Sequence, residues 1–200
     1  MSTQILWFAT RGAGVVSLIL FTVVACLGLL SAARMQSRWW PRFLTVELHR
    51  TLALLSVAFL AVHVLTAVLD PFTHLGLAAA LVPLASTYRP LPVALGVVSV
   101  WFAAAVVVTS LVRDRIGHRA WRAIHWTSYA SWPLALVHTL TAGSDAGASW
   151  LLAVAAACVL AVGATLLVRA SDAGTNRSRL DAVTRGTADP IAVEPAWRDD

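Results

Sequence analysis

The sequence predicts an all-α membrane protein: a polytopic bundle of about five transmembrane helices, with a short re-entrant or interfacial helix at 74–85. Three observations predict it. Of the 200 residues, 58% are hydrophobic and 12% charged, against roughly 45–50% and about 25% in a soluble domain. The apolar residues gather into five runs near the ~20 residues that a bilayer crossing takes. The charged residues fall between the runs, with the arginines concentrated in alternate loops.

Helix 1 is expected over 7–32, WFATRGAGVVSLILFTVVACLGLLSA. The stretch before it, MSTQILWFAT, has no basic residue ahead of Arg11, and the apolar run is longer than the core of a signal peptide. It is therefore expected to be a retained helix. Helix 2 follows over 45–68 and carries His49 and His63. The segment HLGLAAALVPLA, 74–85, is too short to span and is interrupted by Pro83, which suits a segment lying over the bundle. Helix 3 is expected over 93–112, helix 4 over 120–141 and helix 5 over 149–168. Cys26 and Cys158 lie inside apolar runs and read as small buried residues. After Arg169 the composition turns polar with no sustained period. The domain organisation is thus a membrane domain over 1–170 and a disordered cytoplasmic tail over 171–200.

The charge is +5, with all fifteen basic residues arginine. Arg34, Arg38 and Arg42 follow helix 1, and Arg113, Arg115, Arg119 and Arg122 follow helix 3. The other loops hold Asp70, Arg89 and Asp145. Arginine-rich loops stay in the cytoplasm, so the N-terminus is expected outside and the C-terminus inside, in a multi-pass cell-membrane protein of bacterial type. Trp7, Trp39, Trp40, Trp121 and Trp150 lie near helix ends, where an interfacial aromatic belt forms. No basic face with interleaved aromatics suggests nucleic acid. No GxGxxG or GxxxxGK[ST] motif suggests a nucleotide site.

Helix 4 repeats the feature of helix 2: His125 and His138 stand thirteen apart, as His49 and His63 stand fourteen apart. Helices 2 and 4 run in the same direction. Spacings of about 21 and 19.5 Å along their axes therefore form two histidine pairs at matching heights, one near each face of the membrane. Intramembrane ionisable residues are functional candidates. Two such pairs suit two six-coordinate hemes, each iron taking one neutral imidazole from each helix. A zinc-type site fits less well, because four ligands must converge on one point. His49 and His125 would serve the inner heme, His63 and His138 the outer. At 100° per residue His63 falls about 40° from His49, whereas His138 falls about 140° from His125. Either a kink at Pro133 or a rotation between heme planes has to absorb that difference. His74 and His118 lie in loops and read as solvent-facing, with His74 the substitute ligand on the outer side. Arg50 and Arg122 are placed for the propionates of the inner heme. Arg11 is placed for an outer propionate or for snorkelling to the interface. Tyr129 and the tryptophans of helix 4 are available to pack on the porphyrins. Histidines acting as proton relays in a non-redox membrane protein are the competing reading.

The segments ELHRTLALLSVAFLAVH and RIGHRAWRAIHWTSYASWPLALVH resemble the ferric reductase-like transmembrane domain. That family includes the membrane portions of NADPH oxidases and ferric-chelate reductases. It also includes the heme-binding subunit of the bacterial periplasmic methionine-sulfoxide reductase. Its paired histidines match His49, His63, His125 and His138 one by one, and its W-R-x-x-H element is matched by Trp121, Arg122 and His125. The resemblance covers roughly residues 7–168. It implies a b-type cytochrome with two hemes b that moves electrons across the cytoplasmic membrane. Oxidase and ferric-reductase members carry a cytosolic module for FAD and NAD(P)H after the last helix. Here a short tail follows, so a separate flavoprotein or quinol is the expected donor. The expected acceptor is an extracytoplasmic ferric complex or redox protein, and the chain is the membrane electron-transfer subunit of an oxidoreductase. A quinol-linked cytochrome b that anchors a dehydrogenase is the alternative within redox chemistry. Lipid is the remaining partner.

Overall fold

The computed structural model describes residues 2–32, 41–71 and 75–188. Among them are eight helices and no strand: α1 Ser2–Ala32, α2 Arg42–Leu69, α3 Leu77–Leu81, α4 Pro90–Leu111, α5 Arg113–Ile116, α6 His118–His125, α7 Ser128–Ala142 and α8 Ser149–Ala188. Four are long and apolar enough to cross a membrane: Gln4–Ala32, Phe43–Leu69, Pro90–Leu111 and Ser149–Asp172. Their outward faces stay apolar. Leu160 and Leu167 on α8 are each 71% exposed, which suits a surface solvated by lipid.

The helices pack as two antiparallel pairs, α1 with α2 and α4 with α7, and α8 closes against α1 and α7. The α4–α7 contact is made by small residues. Ser131 is fully buried, and its hydroxyl donates to the Ser99 carbonyl at 2.9 Å. The Ser99 hydroxyl donates to the Ser131 carbonyl at the same distance. Small side chains that hydrogen-bond across helices let backbones approach closely in lipid, where burial of apolar surface contributes little.

The helix expected over 120–141 is present in two pieces, α6 and α7, broken at Trp126–Thr127. Here i→i+3 bonds appear: Thr127 N–H to Ile124 at 2.9 Å, Tyr129 to Trp126 at 3.1 Å and Ala130 to Thr127 at 3.0 Å. The hydroxyls of Thr127 and Ser128 compete for the carbonyls of Ile124 and His125, each at 2.7 Å. Pro133 then offers no N–H to the carbonyl of Tyr129. A 3₁₀ step turns about 20° more than an α step, so three of them recover about 60° of the phase mismatch.

The segment expected to lie over the bundle forms α3, packed on α2 and α4. Ala79 is buried there and Leu77 exposed, and the Trp101 indole donates to the Leu81 carbonyl at 2.9 Å. At the same end Arg89 takes a left-handed backbone, φ 40°. Its guanidinium donates to the carbonyls of Thr141 at 2.6 Å and Gly143 at 3.2 Å, a cation on the negative end of α7.

One boundary differs from expectation. The polar segment beyond 171 continues α8 to Ala188. No proline occurs between Ser149 and Pro190, and a helix already nucleated in the membrane propagates at little cost. Residues 189–200 of the expected tail lie outside the described residues, as do Arg34, Arg38, Trp39, Trp40 and His74.

Candidate functional site

Between the α1–α2 pair and the α4–α7 pair lies a cavity of about 1810 Å³, lined by His49, His63, His125 and His138. Sites for one small ligand measure roughly 300–1,000 Å³, so this one is large enough for more than one planar group. It runs from an end lined by Arg50 and Arg122 to an end lined by Asp70 and Asp145.

Two pairs of rings face each other across it. His49 and His125 have ring centres 6.4 Å apart, and His63 and His138 have centres 6.2 Å apart. Metal–imidazole bonds are about 2 Å long and the nitrogen lies about 1 Å from the ring centre. Two imidazoles sharing one ion therefore stand about 6 Å apart, centre to centre. Both pairs have that spacing. Among the described residues, no group of three or more His, Cys, Asp or Glu side chains converges, so the ligand-type residues meet in twos.

Three of the four rings are held in the same way. Nδ1 of His49 donates to the Val24 carbonyl at 3.0 Å, Nδ1 of His63 to Thr10 at 2.8 Å, and Nδ1 of His138 to Pro92 at 2.8 Å. A carbonyl can only accept, so the proton sits on Nδ1 and the Nε2 lone pair is left for a metal. Each accepting residue precedes a glycine by four: Val24 and Gly28, Thr10 and Gly14, Pro92 and Gly96. A Cβ at Gly14 would meet His63 Nδ1 at 2.8 Å, and one at Gly96 would meet His138 Nδ1 at 2.6 Å. At Gly28 the approach to His49 Cε1 is 3.4 Å. The missing side chain opens one helical turn so that the ring can reach the carbonyl below it. This socket carries a sequence signal that the histidine reading missed. Gly14 and Gly28 stand fourteen apart, as His49 and His63 do on the antiparallel helix.

His125 lacks such a socket. Its Nδ1 is buried without a hydrogen-bond partner among the described residues. Thirteen residues on from Pro92 and Gly96 are Ala105 and Thr109, and the Thr109 hydroxyl donates to the Ala105 carbonyl at 2.7 Å. His125 is stacked instead on Trp121, centres 4.9 Å apart and planes 31° apart, and Trp121 on exposed His118 at 5.4 Å. The Trp121 indole donates to Ser110 Oγ at 3.2 Å.

The charged residues at the two ends differ in role. Arg50 and Arg122 line the cavity, and Arg113 and Arg169 join them. Arg169 stands just past the last expected span. It reaches the cavity from α8 and donates to the Tyr129 hydroxyl at 3.4 Å. Arg11, expected to meet an outer propionate or to snorkel to the interface, is ion-paired with Asp145, donates to Ser144 Oγ at 3.4 Å and lies over the Trp7 ring at 3.9 Å. The reason is the turn after α7, which brings Asp145 onto α1 across 134 residues of sequence. Between the two histidine levels the Trp132 indole donates to Thr22 Oγ1 at 2.9 Å and ties α7 to α1.

A helical membrane bundle with two facing histidine pairs around a wide cavity defines the class of protein: an integral-membrane helix bundle with paired histidines in its interior. The chain belongs to the ferric reductase-like family; it matches the family described as ferric reductase like transmembrane component over residues 13–141, more than half its length. Membership places it among membrane electron-transfer proteins, whose domains generally bind heme. No curated protein and no solved structure matches the chain.

Proposed function

We propose that this chain is a diheme b-type cytochrome that carries electrons across the cytoplasmic membrane. The observation that supports it most directly is the spacing of 6.4 and 6.2 Å between facing imidazoles at two separate levels. His49 and His125 ligate the inner heme and His63 and His138 the outer one. Heme, when bound, supplies the one-electron carrier. The chain's own residues do the rest. The carbonyls of Val24, Thr10 and Pro92 hold three rings in one tautomer, with Nε2 directed to the iron and its basicity raised. Arg50 and Arg122, with Arg113 and Arg169, meet the carboxylates of the inner heme. Arg11, balanced by Asp145, lies at the outer end and adds little net charge there. The apolar helix faces exclude water.

The arginine-rich end faces the cytoplasm, the N-terminus lies outside and the C-terminus inside. The donor is a separate flavoprotein or quinol at the arginine-rich end. The acceptor is an extracytoplasmic ferric complex or redox protein. The test is heme content and the reduced-minus-oxidised spectrum of protein expressed with ample heme. Two low-spin hemes per chain are expected; protein without a Soret band would rule the reading out.

A further inference from the structure

The two centres are not built alike. At the outer level both histidines sit within helices of fifteen residues or more, α2 and α7, and both have a carbonyl on Nδ1. At the inner level His49 has its carbonyl and His125 has none. Thr109 stands where the sequence step from Gly96 would place a glycine, and its hydroxyl already occupies the Ala105 carbonyl. Loss of a hydrogen-bond partner behind a metal ligand typically costs about 10–100-fold in metal affinity. His125 is also carried differently. It is the last residue of α6, an eight-residue helix with no buried residue. Gly117, φ 77°, hinges the start of α6, and the Trp126–Thr127 break lies beyond its end. Stacking on Trp121 sets the plane of the ring but gives Nδ1 no acceptor.

We propose that the His49–His125 centre is exchangeable: His125 yields its place to a small neutral diatomic ligand of the carbon monoxide type, while the His63–His138 centre stays closed. The proposal rests on the two-heme reading. The exchange is a ligand substitution on ferrous iron. The bond to His125 Nε2 breaks with its electron pair returning to nitrogen, and the lone pair on the carbon of carbon monoxide forms the new bond. No proton moves and no oxidation state changes. α6 moves at its two ends to take His125 aside, and His49 remains held by the Val24 carbonyl.

The experiment is a titration of the full-length, dithionite-reduced protein with carbon monoxide, read by the Soret shift after heme content is measured. Wild type is expected to bind one carbon monoxide per two hemes. His125→Ala is expected to bind one still, and more tightly, because its competitor is gone. Gly96→Ala, which drives a Cβ into His138, is expected to lose the outer heme and to bind one carbon monoxide at the heme that remains. Wild type that binds none, or that fills both hemes equally, would overturn the proposal. So would His125→Ala binding two, since that would make the outer heme the one that opens in wild type. Fewer than two hemes in wild type before any gas is added would overturn the two-heme reading together with the proposal. Two hemes with the wrong gas pattern would overturn the proposal alone.

Discussion

The Cβ that Gly14 lacks would lie 2.8 Å from Nδ1 of His63, the atom that donates to the Thr10 carbonyl one turn below. That approach has no room for a methyl group. Gly14→Ala is therefore expected to push His63 out of its socket and to lose the outer heme, halving the heme content. Gly28→Ala, with 3.4 Å to His49, is expected to keep both hemes. Gly163→Ala, with nothing within 4 Å, should do the same. Pyridine hemochrome assays on the three variants decide the matter; equal heme content in all of them would refute the socket.

Removal of the rings themselves is expected to divide by level. His49→Ala or His125→Ala should lose or perturb one spectral component, and His63→Ala or His138→Ala the other. Potentiometric titration followed at the α band separates the two. Four variants that all retained two low-spin hemes would contradict the ligand assignment.

Ser131 tests the packing beneath His138. Ser131→Ala removes one hydroxyl of the reciprocal pair with Ser99 and is expected to cost about 0.6 kcal/mol, the average for an interhelical hydrogen bond in a membrane protein. Ser131→Leu puts a large side chain at a fully buried contact. It is expected to part α4 from α7, draw His138 away from the Pro92 carbonyl and release the outer heme. Thermal melting in detergent, followed by heme absorbance, measures both.

The Arg11–Asp145 pair is roughly one fifth exposed on each side. Asp145→Asn leaves the guanidinium without its partner among apolar helices. The loss is expected to be larger than in the Arg11→Gln, Asp145→Asn double variant. A double-mutant cycle on unfolding should return a coupling of about 0.5–3 kcal/mol; a value near zero would show that the pair is independent.

Orientation can be read by labelling. With Cys26 and Cys158 replaced by serine, a cysteine at Ala146 is expected to react with a membrane-impermeant maleimide on intact cells. A cysteine at Arg119 is expected to react only after the cells are opened. The opposite pattern would invert the topology.

Much of the bundle was legible because lipid imposes a simple code: length and apolarity mark a crossing. The histidine pairs were legible because a titratable ring is costly in that setting. What escaped the sequence reading was of two kinds. The break at Trp126–Thr127 lies in backbone bonds that shorten to i→i+3, a local change that an apolar run conceals. Gly14, Gly28 and Arg11 act on residues far along the chain. The matched spacing of Gly14–Gly28 and His49–His63 gains meaning only once α1 and α2 are known to lie antiparallel. Arg11 was judged from the helix it sits on, whereas its partner comes from the turn after α7.

The sockets also divide the molecule. The rings of α2 are oriented by carbonyls of α1, and the ring of α7 by a carbonyl of α4. Each helical hairpin thus sets its own ligands, and none of these three bonds crosses the cavity. Two half-sites stand ready before they meet, and the group that fills the gap becomes the rivet between them. A chain cut in the connection between α2 and α4 and expressed as two fragments should accordingly reunite when heme is supplied and drift apart when it is withheld.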